Sequence, residues 1–133
     1  MASRTAERCG ACHHRPVRCG VLIVDDHDGF RARARELLES DGFEVVGEAA
    51  DGDSALAAVA QLGPDVVLLD IQLPDVDGFE VAKRMTSSGG GIAVVLISSH
   101  EAADFGSLVD ASGARGFIAK DELSGARLRS LLA

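Results

Sequence analysis

The stretch VLIVDDHDGF, residues 21–30, joins four consecutive apolar residues to two adjacent carboxylates, Asp25 and Asp26. A short run of valine, leucine and isoleucine is typical of a strand that is buried on both faces of a parallel sheet. Two neighbouring negative charges repel each other, and a nearby positive charge would relieve that repulsion. The stretch therefore predicts a buried strand, and it raises the question of which positive group lies at the end of that strand.

The rest of the chain alternates further apolar runs with helical patterns. Four more runs predict strands, at residues 43–49, 65–70, 92–99 and 114–120. Five segments place apolar residues on one helical face, at residues 30–40, 53–62, 78–88, 101–112 and 123–133. The fourth helical pattern is the weakest, because Leu108 and Val109 are in phase but Gly106 interrupts it. Strict alternation of five strands with five helices predicts an α/β fold, a doubly wound parallel sheet with helices on both faces.

Composition and charge narrow the class of protein. The chain has 133 residues, which fits one domain. No run approaches the roughly 18 apolar residues of a membrane span, and residues 1–20 lack the apolar segment of a secretory signal. We therefore expect a cytoplasmic protein with no membrane partner. Residues 1–20 hold four arginines against one glutamate, so their net charge is +3 and the remaining residues carry −11. A body this acidic disfavours direct binding to nucleic acid.

Polar residues terminate four of the five predicted strands. The first strand ends at Asp25 and Asp26, the third at Asp70, the fourth at Ser98 and the fifth at Lys120. Each residue alone fits an ordinary helix cap, turn residue or solvated charge. In an open parallel sheet, however, ligands bind beyond the carboxyl ends of the strands. Four such ends with reactive side chains therefore predict one site.

The chemistry of these side chains indicates the ligands of that site. Three carboxylates with no histidine or cysteine among the predicted ligands favour Mg²⁺ over zinc. A hard metal beside the ammonium of Lys120 and the hydroxyl of Ser98 makes an environment for a phosphoryl group. The positive partner of the two opening aspartates is thus predicted to be Mg²⁺.

These residues resemble the response-regulator receiver domains of two-component signalling, which have the CheY-like, or flavodoxin-like, fold. The match runs from about residue 18 to residue 133. It rests on four motifs: VDDH at 24–27, LLDIQLPDVDG at 68–78, VVLISS at 94–99 and GFIAK at 116–120. The DDH opening and the SSHE segment are most similar to the NarL/LuxR-type subfamily. The resemblance implies a five-stranded sheet of order 2-1-3-4-5 with five helices.

The resemblance implies an acceptor and a metal site. Asp70 would be the phosphoacceptor, which takes its phosphoryl group from a phosphohistidine of a sensor histidine kinase. Asp26 and Asp70 would bind Mg²⁺ directly, and the backbone carbonyl of Gln72 would be a third ligand. Asp25 would act mainly through a metal-bound water. Pro74 and Gly78 would shape the loop after the acceptor.

The resemblance also implies a switch around the acceptor. Lys120 would pair with the phosphoryl oxygens, and Ser98 would donate a hydrogen bond to one of them. The ring of Phe117 would turn inward as that hydroxyl moves, so the output face would be formed by the fourth helix, the fifth strand and the fifth helix. Gln72 and His100 lie where the family tunes the lifetime of the phosphoryl group.

Three features depart from the family pattern. Asp28 and Asp121 stand where many relatives have proline, and Asp28 adds a negative charge near the metal. NarL-type relatives usually continue into a DNA-binding helix-turn-helix. Because this sequence stops at Ala133, we expect output through protein contacts, to a downstream effector or to an output domain that is absent from this chain.

An N-terminal extension, residues 1–17, precedes the predicted receiver domain at 18–133. Residues with metal-ligand chemistry lie in or beside it: Cys9, Cys12, His13, His14 and Cys19. The C-x-x-C-H spacing matches a haem attachment motif, but haem attachment requires export. A zinc knuckle has usable ligand types but would be cramped against the first strand. We expect a disordered extension without a function.

The function predicted from the sequence is a phosphorylation-activated switch. It would be a phosphoacceptor with self-catalysed phosphotransfer and autodephosphorylation rather than a turnover enzyme, with a phosphorylation-dependent homodimer as one mode of output. One alternative is a receiver-fold interaction module that acts without phosphorylation, although such modules can lose the acid, hydroxyl and lysine residues kept here. Another is a phosphohydrolase with an aspartyl nucleophile. That alternative is disfavoured, because such enzymes resemble D-x-D and the acids here are adjacent.

Overall fold

The predicted alternation is present in the computed structural model, which describes residues 19–87, 91–99 and 106–132. Within these residues the strands are β1 Gly20–Val24, β2 Glu44–Ala49, β3 Val66–Asp70, β4 Ala93–Ser98 and β5 Gly116–Ala119. The helices are α1 Asp28–Ser40, α2 Gly52–Leu62, α3 Gly78–Ser87, α4 Gly106–Ala111 and α5 Gly125–Leu132. A short 3-10 turn, Lys120–Glu122, lies between β5 and α5.

The strands form one parallel sheet of order β2-β1-β3-β4-β5, which confirms the predicted fold class and strand order. Since strand side chains alternate between the two faces of a sheet, β1 contributes side chains to two apolar clusters, one on each face. Val21 and Ile23 pack in one apolar cluster, and Leu22 and Val24 pack in the other. All four are fully buried. The uninterrupted apolar run that follows Gly20 is therefore explained by burial on both faces.

Helices cover each face of the sheet. Leu38 of α1 and Leu128 of α5 pack in the first cluster. Ala55 of α2, Met85 of α3 and Val109 of α4 pack in the second cluster. This arrangement leaves the carboxyl ends of β1 and β3 side by side at the centre of the sheet, the position where open parallel sheets bind ligands.

Two local predictions differ from the structure. β5 ends at Ala119, and Lys120 begins the 3-10 turn rather than ending the strand. Leu108 and Val109 do not share a buried face: Val109 is 8% exposed and packs in the second cluster, whereas Leu108 is 51% exposed. Adjacent helical residues point about 100° apart, and in α4 it is Val109 that faces the second cluster.

Two further sequence predictions concern a membrane span and the N-terminal extension. None of the helices in the described ranges has both the length and the apolar character of a membrane span. The N-terminal extension with Cys9, Cys12, His13 and His14 lies outside the described residues, while Cys19 is partly buried against the first cluster.

Candidate functional site

The end of β1 places two carboxylates in different environments. Asp25 is fully buried, and its backbone N–H donates to the carbonyl oxygen of Ala49 over 3.0 Å. Its Oδ1 accepts a hydrogen bond of 2.8 Å from the backbone N–H of His27. Asp26 is exposed. The Asp25 carboxylate is therefore held in the protein interior at the end of β1, whereas the Asp26 carboxylate faces solvent.

The end of β3 places Asp70 beside them. Asp70 is 3% exposed, and its Oδ1 accepts a hydrogen bond of 3.0 Å from the backbone N–H of Gln72. Gly78 lies directly behind it, and a Cβ added there would come within 2.3 Å of the carbonyl oxygen of Asp70. The Gly78 N–H donates to the carbonyl oxygen of Ile71 over 3.0 Å. Glycine is therefore required at this position because the loop returns so closely to the acceptor strand.

Lys120 connects the two strand ends. Its Nζ lies 2.6 Å from Oδ2 of Asp25 and 3.3 Å from Oδ2 of Asp70. The same ammonium lies over the ring of Phe30, 4.9 Å from the ring centre. The Lys120 side chain is only 15% exposed. A buried cation thus balances two buried carboxylates.

Burial and the charges of Asp25, Asp70 and Lys120 together shift the pKa values of Asp70 and Lys120. Burial raises the pKa of Asp70, and the negative charge of Asp25 adds to this, while the Gln72 N–H and Lys120 act in the opposite direction. Burial by itself would lower the pKa of Lys120. The hydrogen bond to Asp25 and the charge of Asp70 outweigh that effect, so the pKa of Lys120 is raised. Lys120 therefore remains an ammonium that holds the acids together.

The other predicted site residues lie on β4 and β5. Ser98 is 1% exposed at the end of β4, one residue beyond Ile97, which pairs with Asp70 across the sheet. Phe117 is half-buried on the edge strand β5, opposite Leu96. Both lie at the expected places. His100, predicted to tune the phosphoryl lifetime, lies outside the described residues.

The acidic site fits a divalent metal. Carboxylate oxygens of Asp25, Asp26 and Asp70 and a ring nitrogen of His27 lie within 4.8 Å of one another. Mutually repelling carboxylates in this arrangement are the ligand type that Mg²⁺ prefers. The prediction that no histidine lies near these carboxylates was wrong. His27 is the next residue after the two acids, and its ring turns back toward them.

Comparisons with known proteins agree with this geometry. The family model for the response regulator receiver domain matches residues 21–133. The chain belongs to this family. It is 39% identical over 102 residues to the transcription regulator BvgA of Bordetella pertussis, covering 77% of this chain and 49% of BvgA. It is 39% identical over 101 residues to the response regulator GacA of Pseudomonas syringae pv. syringae, covering 75% of this chain and 47% of GacA. The chain thus spans about half the length of these curated relatives.

Solved structures show the same fold. The receiver domain of NarL from Mycobacterium tuberculosis superposes with a TM-score of 0.78 at 36% identity, covering 87% of this chain and 98% of that one. A LuxR-family response regulator from Aurantimonas sp. SI85-9A1 gives a TM-score of 0.76 at 29% identity, covering 85% and 81%. The chain is a receiver domain of the two-component response-regulator type.

An arginine network holds the β1–α1 loop of this receiver domain. The Arg31 guanidinium donates to the backbone carbonyl oxygen of Asp25, to the Asp28 carboxylate and, over 3.0 Å, to Oε1 of Glu48 on β2. Arg35 donates to the other Glu48 oxygen over 2.8 Å. These contacts, with that of Arg35 the strongest, lower the pKa of Glu48. Arg31 also neutralises the charge that Asp28 adds near the site.

This network was not predicted from the sequence. The spacing of Asp28 and Arg31, three residues apart on a helix, could have indicated one of its ion pairs. The contact with Glu48 depends on how α1 crosses β2, which no local pattern reveals.

The loop after Asp70 is anchored by a second long-range contact. The Asp75 carboxylate accepts hydrogen bonds of 2.8 Å from the Gly52 N–H and 3.1 Å from the Asp53 N–H at the start of α2. These donors lower the pKa of Asp75, with that of Gly52 the larger cause. The carboxylate supplies acceptors for N–H groups that a helix N-terminus leaves unpaired. The receiver domain therefore ties the acceptor loop to a neighbouring helix.

Proposed function

We propose that this receiver domain is a phosphorylation-activated switch in which Asp70 accepts a phosphoryl group from a phosphohistidine of a sensor histidine kinase. One observation carries the proposal: Lys120 holds a buried ion pair with Asp25 and Asp70 at the carboxyl ends of the central strands. A buried carboxylate beside a fixed ammonium and other acids is suited to receive a phosphoryl group, and a plain structural ion pair would not need the exposed Asp26.

The proposed step transfers a phosphoryl group from the kinase phosphohistidine to Asp70. A carboxylate oxygen of Asp70 forms a bond to phosphorus while the bond from phosphorus to the kinase imidazole nitrogen breaks, and the electron pair of that bond returns to the imidazole. Asp70 becomes an acyl phosphate. Lys120, already 3.3 Å from an Asp70 oxygen, neutralises charge on the transferred group. Ser98 donates a hydrogen bond to one of its oxygens.

The residues that would hold the metal are Asp26 and Asp70, with the Gln72 backbone carbonyl as a third ligand and Asp25 acting through water. Bound Mg²⁺ would supply positive charge that screens the acceptor from the incoming phosphoryl oxygens. Hydrolysis of the acyl phosphate by water would reset the switch, at a rate that Gln72 and His100 are proposed to set.

Output is proposed through the face formed by α4, β5 and α5. Phe117 is half-buried on the edge strand β5, and Leu108 projects from α4 with half of its surface exposed. An edge strand and a short helix are easier to displace than the central strands. The partner on this face is proposed to be a downstream effector, an output domain or a second phosphorylated copy, and not nucleic acid. A cytoplasmic location belongs to the same proposal.

The proposal is tested by incubating the protein with a small phosphodonor such as acetyl phosphate, with and without Mg²⁺. We expect about one acid-labile phosphoryl group per chain, only with metal, and none in Asp70→Asn, because that variant lacks the nucleophile. Asp110→Asn removes an exposed carboxylate from α4 and should behave as wild type. Acid-stable phosphate on Ser98 or Ser99, or labelling of Asp70→Asn, would contradict the assignment. An unlabelled but folded wild type would favour a module that acts without phosphorylation.

A further inference from the structure

His27 has an unusual position for an exposed side chain. Its side chain is 71% exposed, so packing does not hold it. Its Nδ1 nevertheless lies 3.1 Å from Oδ1 of Asp25 and 3.1 Å from Oδ1 of Asp26. The ring therefore turns toward two carboxylates at the same distance, and one of its nitrogens belongs to the cluster that also contains an Asp70 oxygen.

A hydrogen bond explains only part of this arrangement. The Nδ1 atom of a histidine carries at most one proton, and that proton points well toward only one of two acceptors. Oδ1 of Asp25 also already accepts the backbone N–H of His27. A cation bound directly by the ring nitrogen and Oδ1 of Asp26, and reached by Asp25 through a metal-bound water, would satisfy all three groups at once.

The distances fit shared ligation. Ions of the size of Mg²⁺ hold octahedral ligands at about 2.1 Å, so adjacent ligand atoms lie about 3.0 Å apart. The separation from Nδ1 to Oδ1 of Asp26, 3.1 Å, matches that spacing. For this role the imidazole is neutral, with its proton on Nε2 and its Nδ1 lone pair toward the metal.

We propose that His27 is a nitrogen ligand of the acidic site and that it shifts the metal preference of the site from Mg²⁺ toward divalent first-row transition ions, beginning with Mn²⁺. Carboxylate, carbonyl and water oxygens suit both Mg²⁺ and Mn²⁺, but of the two only Mn²⁺, the first ion of the transition series, also gains from an imidazole nitrogen. A site with one nitrogen among its ligands therefore discriminates less strongly in favour of Mg²⁺. The inference rests on the metal site of the proposed function and adds a ligand and a class of cofactor to it.

The test compares wild type, His27→Gln and Asp26→Asn by titration calorimetry with Mg²⁺ and with Mn²⁺. It also compares wild type and His27→Gln by electron spin-echo spectroscopy of the Mn²⁺ complexes, which detects nitrogen bound to the metal. Mn²⁺ is chosen because it binds thiolates weakly, so the cysteines of the N-terminal extension do not compete. The other histidines, His13, His14 and His100, are present in both proteins.

We expect nitrogen modulation in the wild type and its loss in His27→Gln. We also expect Mn²⁺ affinity to fall about tenfold while Mg²⁺ affinity stays within about threefold. Nitrogen modulation that persists in His27→Gln, or an unchanged ratio of the two affinities, would overturn the role of His27 and leave the proposed function standing. If Asp26→Asn binds both ions as tightly as wild type, the acidic metal site itself is wrong, and the metal-dependent function fails with it.

Discussion

The two sides of the candidate site are attached to the fold in different ways. On the β1 side, the backbone of Asp25 is held by Ala49 and by Arg31, which in turn binds Glu48 on the neighbouring strand. On the β5 side, Lys120 reaches the site through ion pairs with Asp25 and Asp70. The first side is fixed by contacts that do not involve the Asp70 carboxylate, so phosphorylation of Asp70 would leave them in place. The second side is fixed by the same charges that phosphorylation would rearrange.

This difference bears on how one sheet edge would both bind a metal ion and respond to phosphorylation. The proposed metal site needs residues whose positions do not depend on its occupancy, and the Arg31 network fixes the backbone of one of them, Asp25. The proposed switch needs an element with two arrangements of similar energy. Lys120 would meet that need, because a phosphoryl group on Asp70 would offer its ammonium a new partner.

Replacing Lys120 should have the largest effect on stability. Lys120→Met leaves the buried Asp25 and Asp70 without their shared cation, and breaking such a buried pair costs about 3 kcal/mol of unfolding free energy. Lys83→Met removes an exposed lysine from α3 and should change stability by less than about 0.5 kcal/mol. Urea unfolding in metal-free buffer measures both.

A second variant separates charge from packing at Lys120. In the Lys120→Met background, Asp25→Asn should recover much of the lost stability, because it removes a buried carboxylate that no longer has a counter-charge. If Lys120→Met and Lys83→Met cost the same, the β5 side is not held by its ion pairs, and the contrast between the two sides fails.

The positions of the reactive residues could be predicted because each apolar run in the sequence ends at a polar residue. Asp25 follows β1, and Asp70 and Ser98 are the last residues of β3 and β4. Because the apolar side chains of these strands are buried on both faces, the first polar residue marks where each apolar run ends. Alternation of strands and helices then predicted a parallel sheet, and parallel strands carry such ends to one edge. Gly78 was expected only to shape a loop. The structure gives the reason: its Cα lies too close to the Asp70 carbonyl for a side chain.

The supporting contacts could not be predicted in this way. Arg31 meets Glu48, and Asp75 meets the start of α2, only after the order of strands and the path of each loop are fixed. Local patterns contain no information on those pairs. His27 is a different case, since it was visible beside the two acids but was passed over. A side chain adjacent in sequence can turn back toward its neighbours when the chain bends into a helix, as it does at Asp28.

A phosphoryl mimic should perturb the two sides unequally. With beryllofluoride and Mg²⁺ bound, we expect amide signals from Ser98 to Lys120 to shift more than those of α1 and α2. Moving the switch from 1:99 to 99:1 takes about 5.5 kcal/mol, and a hydrogen bond from Ser98 to a charged phosphoryl oxygen can supply about 1.5–3 kcal/mol of that.

Two serine variants test the role of this hydrogen bond. Ser98→Ala should keep metal binding and reduce the shift of the amide signals. Ser99→Ala, at the exposed neighbour, should leave both unchanged. If the mimic binds and residues 98–120 stay unperturbed, the chain is not a switch of this kind.

The smallest expected effect is on metal affinity, and it tests the β1 side of the site alone. Arg31 and Arg35 share the Glu48 carboxylate, but of these two only Arg31 also contacts the backbone of Asp25. Arg31→Gln should therefore weaken metal binding about tenfold, the usual cost of losing a group that orients a ligand, while Arg35→Gln should leave it within about twofold. Arg31 makes more contacts and is more buried than Arg35, so Arg31→Gln should lower the melting temperature more, and metal affinity is compared at a temperature where both variants are folded. Arg31→Lys should not restore affinity, because an ammonium cannot reach the three groups that the planar guanidinium spans.

Equal loss of metal affinity in Arg31→Gln and Arg35→Gln would contradict this prediction. It would mean that the arginine network stabilises α1 without positioning the site, and the β1 side would then be no more fixed than the β5 side.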